Sequence, residues 1–201
     1  MNLYSLKKSL LTIFGDIMVS KYPMYIFYHP TTFSIKGVDT LKIMSIIKPG
    51  DILMRSYNNY IDNYFIPKGE SQCSHSGIYI GGKNFQVLHA MAEGITSHYI
   101  IDFCRCDRIV ILRPKQISIN QTKKLLRFSR KCFKDNVQYD FNFEDDNKKY
   151  YCHEFTAMCY IHIGMYIEKV SLKTIFRTMS PKKYLADSFY LNKNFKIIFE
   201  K

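Results

Sequence analysis

The stretch Ser74–Met91, SHSGIYIGGKNFQVLHAM, constrains the fold more than any other part of the chain. Two β-rich runs, 75–81 and 84–92, meet at Gly81-Gly82-Lys83. That is hairpin chemistry, because glycine adopts the positive φ that tight turns between strands demand. His75 opens the first run, and Glu93 closes the second. In simple register His89 is as far from the turn as His75, and Glu93 lies beyond His75 unless a bulge intervenes. Alternation puts His89, Met91 and Glu93 on one face. Titratable residues at strand ends do little for a core. They make sense when a third group, elsewhere in the chain, comes to meet them.

The rest of the chain supplies helices to pack against such strands. Leu3, Leu6, Leu10, Ile13, Phe14 and Ile17 follow helical spacing. The stripe either caps the core or lies on a partner or membrane surface, with Lys7, Lys8 and Lys21 at its polar face. Pro49-Gly50-Asp51 reads as a turn into the buried strand DILMRS, and NNYIDNYFI has helix-like spacing. DRIVILRP is a strand stopped by proline, and 117–134 a helix with Lys and Arg on its outer face. YDFNFEDDNKK is a polar loop. YYCHEFTAMCYIHIGM is a buried helix, with Cys152, Phe155, Cys159 and Ile163 on one face. SPKKYLADSFY predicts a short helix with Ser180 as N-cap and Pro181 at its first position. NFKIIFE is a last strand. The order predicts an α+β fold, helices against an antiparallel sheet.

Bulk properties exclude some functions. The composition, 47% hydrophobic over 201 residues, is that of a folded domain. The net charge of +12 favours anionic surroundings, such as an anionic membrane surface, an acidic polymer or nucleic acid. Yet the chain has no zinc-finger spacing, no RNA-binding sheet signature and no block of basic residues, which disfavours nucleic acid. Six cysteines in a chain with a core of this size need no disulfides, so a cytoplasmic or other reducing compartment is expected. Cys104-Arg105-Cys106 and the Cys73/His75 pair lack the paired knuckles of structural zinc sites, so neither metal nor cofactor is expected. No run is long and apolar enough to span a bilayer.

Cys152 stands at the start of its helix, directly after the polar loop. Unpaired N–H groups and the helix dipole favour a thiolate there, and the same N–H groups point where an oxyanion would form. This position predicts a thiol that ionises more easily than an ordinary one. A cysteine nucleophile also wants a base and an orienting group for that base. His75 is the candidate base, and Glu93 and His89 are both candidates for the orienting role.

Five segments, PGDILMRS, SHSGIYIGG, LHAMAEGI, YDFNF and YYCHEFTAMCY, stand in an order that resembles the circularly permuted papain-like cysteine hydrolases. These are the YiiX-type and lecithin-retinol-acyltransferase-type relatives of the NlpC cell-wall peptidases, in which the histidine strand precedes the nucleophile helix. The resemblance runs from about Lys48 to about Gly164. It implies Cys152 as nucleophile, His75 as base and Glu93, in AEG, as the third polar residue, which turns the choice from His89 to Glu93. Tyr139 matches a family tyrosine that helps at the oxyanion. The YiiX pattern has serine after the cysteine; this chain has His153, which points about 100° away from Cys152 on a helix and suits the substrate pocket better than a base. His98, His162 and the other cysteines read as structural.

The sequence thus predicts a helical extension over 1–45 and a permuted papain-like domain over 46–201. The expected activity is hydrolysis or acyl transfer at an amide, ester or thioester, on lipid/acyl or peptide-like substrates, through an acyl-enzyme. Two rivals remain: a catalytically idle binding module of the same fold, and a basic nucleic-acid-binding protein.

Overall fold

The computed structural model describes residues 33–58, 69–143, 148–172 and 179–201, together with the backbone of two short N-terminal strands, β1 (Ile17–Val19) and β2 (Ile26–Tyr28). These two strands pair antiparallel. Ile17, expected on a helical stripe, therefore opens a strand. The rest of that stripe, and the helix expected after Asn58, lie outside the described residues.

Then follow α1 (Gly37–Ile46), β3 (Ile52–Ser56), β4 (His75–Gly81), β5 (Gln86–Met91), β6 (Gly94–Tyr99), α2 (Ile100–Phe103) and β7 (Arg108–Pro114). The chain continues with α3 (Ile119–Lys134), α4 (Cys152–Ile161), α5 (Asp187–Tyr190) and β8 (Phe195–Glu200). Strands β3 to β8 form one antiparallel sheet in the order β6-β5-β4-β3-β7-β8. The fold is α+β, as expected.

Both faces of this sheet are covered, which is why its central strands read as continuous apolar runs. Ile52, Met54, Ile78, Leu88, Val110 and Leu112 turn to one face, packed with Leu125 of α3, Phe155 and Tyr160 of α4 and Phe189 of α5. Leu53, Tyr79, Val87, Ile109 and Ile111 turn to the other, with Ile43 of α1 and Ile100 and Phe103 of α2. Each such side chain withdrawn from water contributes roughly 1.5–3 kcal/mol. From Ile35 onward the N-terminal segment belongs to this second core, and Ile35 N–H donates to Cys106 C=O across 3.1 Å.

Polar contacts fix the layers. Arg113 grips both carboxylate oxygens of Asp51 at 2.8 and 2.7 Å, tying the Pro49-Gly50-Asp51 turn to β7. The Tyr160 hydroxyl reaches Gly50 C=O from α4. A reciprocal Ser118/Gln121 capping box starts α3. The helix expected from Ser180 shrinks to Asp187–Tyr190. Upstream of it the backbone is held by loop contacts: Lys183 bridges to Val170, Tyr184 N–H donates to the Tyr151 hydroxyl, and Ser180 Oγ accepts from Leu172 N–H.

Candidate active site

Helix α4 begins at Cys152, and its N-cap, Tyr151, makes no side-chain capping bond. No capping oxygen therefore competes for the first N–H groups of the helix. The helix is bolted to β4 by Ser76, whose hydroxyl donates to Cys152 C=O (3.3 Å) and contacts His153 Nδ1 and Thr156 Oγ1, both at 2.9 Å. These contacts set the start of α4 against β4 one residue from His75.

The thiol is not the easily ionised group expected from its position. Burial pushes Cys152 up to about 11. The N–H groups of Ser76, His153 and Cys152 itself, and the positive charge of Arg55, pull it down without offsetting burial. Helix-start stabilisation of a thiolate is modest, and loss of water disfavours any charge strongly. His75 is held well below the usual histidine range, first by burial and then by His89 and Arg55. At neutral pH the resting pair is thus a thiol and a neutral imidazole.

His75 lies at the open start of β4. Its Nε2 is 2.7 Å from Nδ1 of His89, and Nε2 of His89 is 3.0 Å from Nδ1 of His98. A bulge between Tyr79 and Gly81 shifts the β4–β5 register by one residue. Gly77 then faces His89: a Cβ at Gly77 would stand 3.0 Å from the Cβ of His89 and 2.9 Å from Leu88 C=O. The missing side chain is what lets His89 cross beneath β4 to His75. Phe103 packs against both rings, with centroids 5.9 and 5.4 Å away. Arg55, opposite His75 on β3, is buried over the Phe103 ring at 4.3 Å and donates to Phe103 C=O. Burial and the Arg55 charge hold His89 well below its usual range as well.

Glu93, taken from the family pattern as the orienting residue, does not join this group. It sits exposed in the two-residue turn between β5 and β6, because Met91 already pairs with Gly94. His98, read as structural from the sequence, is third in the histidine series. Arg55, Ser76 and the strand β6 that carries His98 also escaped the sequence reading. The alternation in GITSHY after the AEG turn is the signal for that strand.

A cavity of about 420 Å³ opens at Cys152, lined also by His153, Tyr139, Phe143, Tyr151 and Lys183 among others. Its walls are largely apolar and aromatic. His153 lines it, deeply buried; burial brings it down to about 4. Tyr139 also lines the cavity, and burial followed by the nearby Cys152 charge pushes its hydroxyl up. Upstream of β4, the Asp187 carboxylate accepts from the N–H groups of Glu70 and Ser71 at 2.8 and 3.0 Å, holding the loop that leads to His75. The carboxylate fills the space a Cβ at Gly69 would need.

Residues 46–194 match the family described as permuted papain-like amidase enzymes, YaeF/YiiX, C92 family. No curated protein matches the chain. Among solved structures, the fold is similar to the metalloprotein YiiX from Escherichia coli O157:H7, with a TM-score of 0.62 and 16% identity over 77% of this chain and 97% of that one. The donors described here do not fit a metal. Among the described residues no three His, Cys, Asp or Glu side chains are grouped to hold an ion, and the histidines bond to one another in line rather than converging. Nor is any helix among the described residues long and apolar enough to cross a membrane.

Proposed function

The chain belongs to the permuted papain-like amidases of the YaeF/YiiX, C92 family, and on that premise we propose that Cys152 is an acyl-accepting nucleophile and His75 its base. The observation that carries this reading is Cys152 at the start of α4, tied by Ser76 to β4 next to His75, a histidine whose Nε2 is occupied by His89. Nδ1 of His75 is then the nitrogen left for the thiol proton.

Because both groups rest uncharged, the proton moves during attack rather than before it. The sulfur adds to the carbonyl carbon of an amide, ester or thioester as His75 Nδ1 takes the thiol proton. The oxyanion collects at the start of α4, where the Cys152 N–H and the helix dipole stabilise it, with Tyr139 at the cavity wall as a further donor. His75 returns the proton to the leaving amine, alcohol or thiol, leaving an acyl-enzyme. It then deprotonates water, for hydrolysis, or an amine or hydroxyl acceptor, for transfer. His89 is the orienting residue in this reading, supported by the 2.7 Å contact; Glu93 has no such contact to support it. The aromatic walls suit an acyl chain or an apolar peptide side chain at the carbonyl side of the bond.

A binding role without catalysis is favoured by one observation, the burial that keeps Cys152 protonated. Intact-mass spectrometry separates the two. After incubation with panels of acyl thioesters, esters and peptide amides, the enzyme reading expects an acyl adduct on Cys152 that is absent from Cys152→Ala and reduced in His75→Ala. An unmodified protein across all panels, or an adduct on another cysteine, overturns it.

A further inference from the structure

We infer that His98 is a positioning residue for this site: acting through His89, its Nδ1 supplies the acceptor required by the tautomer arrangement that leaves His75 Nδ1 as the basic nitrogen. The inference rests on the reading of His75 as base.

The three rings are joined in one direction, Nε2 to Nδ1 twice over, at 2.7 and 3.0 Å. A neutral imidazole has one donor nitrogen and one acceptor nitrogen. Each contact needs a donor on one side and an acceptor on the other, so the choice propagates along the series. Either all three rings carry the proton on Nε2, or all three carry it on Nδ1. Only the first arrangement leaves His75 Nδ1 open to the thiol proton. In that arrangement His89 donates from Nε2 and His98 Nδ1 accepts.

Two other neighbours of the inner rings cannot supply an acceptor. Phe103 offers an apolar ring, and the Arg55 guanidinium only donates. The position of His98 also differs from that of His89. His89 is fully buried, whereas His98 is half-exposed on β6, the edge strand of the sheet. Solvent can therefore satisfy the N–H that ends the series. In that arrangement His98 supplies the acceptor that a carboxylate often supplies, without placing a negative charge beside buried rings.

Selective ¹⁵N-histidine labelling of the whole chain, read by two-bond ¹H–¹⁵N correlation at about pH 8, where histidines are neutral, reports each tautomer. The wild-type protein is expected to show the Nε2–H pattern at His75, His89 and His98. His98→Phe removes the acceptor; His75 and His89 should then populate both tautomers, and iodoacetamide should modify Cys152 about tenfold more slowly. His98→Asn supplies an acceptor oxygen and should restore both the pattern and most of the rate. His162, stacked on Phe128 at 4.5 Å, serves as an internal control for the fold. Unchanged tautomers at His75 and His89 in His98→Phe overturn the role of His98 and leave the nucleophile reading intact. If wild-type Cys152 takes no acyl adduct from the panels of thioesters, esters and amides, the nucleophile reading falls and the proposal falls with it.

Discussion

The thiol and the imidazole of this site are neutral chiefly through burial, and that sets how Cys152 should respond to pH. With Cys152 up at about 11, the thiolate fraction keeps rising through the alkaline range. Alkylation by iodoacetamide should therefore climb steadily from about pH 7 to 10, without the acidic plateau of a preformed ion pair. A plateau below about pH 7 would show that a thiolate–imidazolium pair forms after all. The orienting role gives a second test. His89→Ala should lower formation of the acyl adduct by roughly 10²–10⁴-fold, and Glu93→Gln should leave it within about twofold. The opposite ranking returns the role to Glu93. The element starts at Cys152 and His75 were legible, because both are marked by local sequence. Which side chain meets His75 was not. It depends on a bulge at Tyr79/Gly81 and a two-residue turn at the end of β5, and neither alters the pattern of residue types along the strand.

The pairing of β4 with β5 depends on the missing side chain at Gly77. A methyl group there meets backbone and a Cβ at 2.9 and 3.0 Å, neither of which can rotate away. Gly77→Ala is expected to cost about 1–3 kcal/mol in urea unfolding, as overpacking does. It should also push His89 from His75, so adduct formation falls even where the variant stays folded; a fully active variant would mean that β5 has room to yield. Helices were legible where caps and periodicity agreed, as at Ser118 for α3. Ser180-Pro181 carried an equally clear start signal that tertiary contacts overrode: Tyr151, Leu172 and Val170 engage the backbone or side chains of 180–184 in a loop instead. Local propensity is a weak prior against several fixed hydrogen bonds.

Across the whole molecule, buried neutral histidines tie stability to pH. His89 and His153 both ionise less readily folded than unfolded. Below about pH 6.5 the unfolded chain binds protons that the folded one refuses, so stability falls as pH falls. For His153 the loss runs down to about 4, where the folded form also protonates. Each such group removes about 1.4 kcal/mol per pH unit within its window. The urea midpoint should drop between about pH 7.5 and 5.5, ahead of carboxylate titration, and His153→Gln should flatten the slope. An unchanged midpoint over that range would mean that these rings gain protons without unfolding. The sheet order was outside what the sequence could give, because it joins β3 to β7 and β7 to β8 across long intervals. The class of fold was legible, since alternating strands and amphipathic helices leave few ways to bury both.

The Asp187 clasp on Glu70 and Ser71 also bears on how the protein is made. It joins residues more than a hundred positions apart, and the carboxylate that holds the approach to His75 is translated long after His75 and Cys152. A nascent chain can close the hairpin and start α4 while the approach to the base remains untethered. On the reading of Cys152 and His75 as the reactive pair, the approach to the base is fixed only once α5 has been made and docks. Ribosome-bound chains stalled before and after Asp187 emerges should differ in Cys152 reactivity, with the later length the faster. Equal reactivity at both lengths would assign the clasp to stability alone.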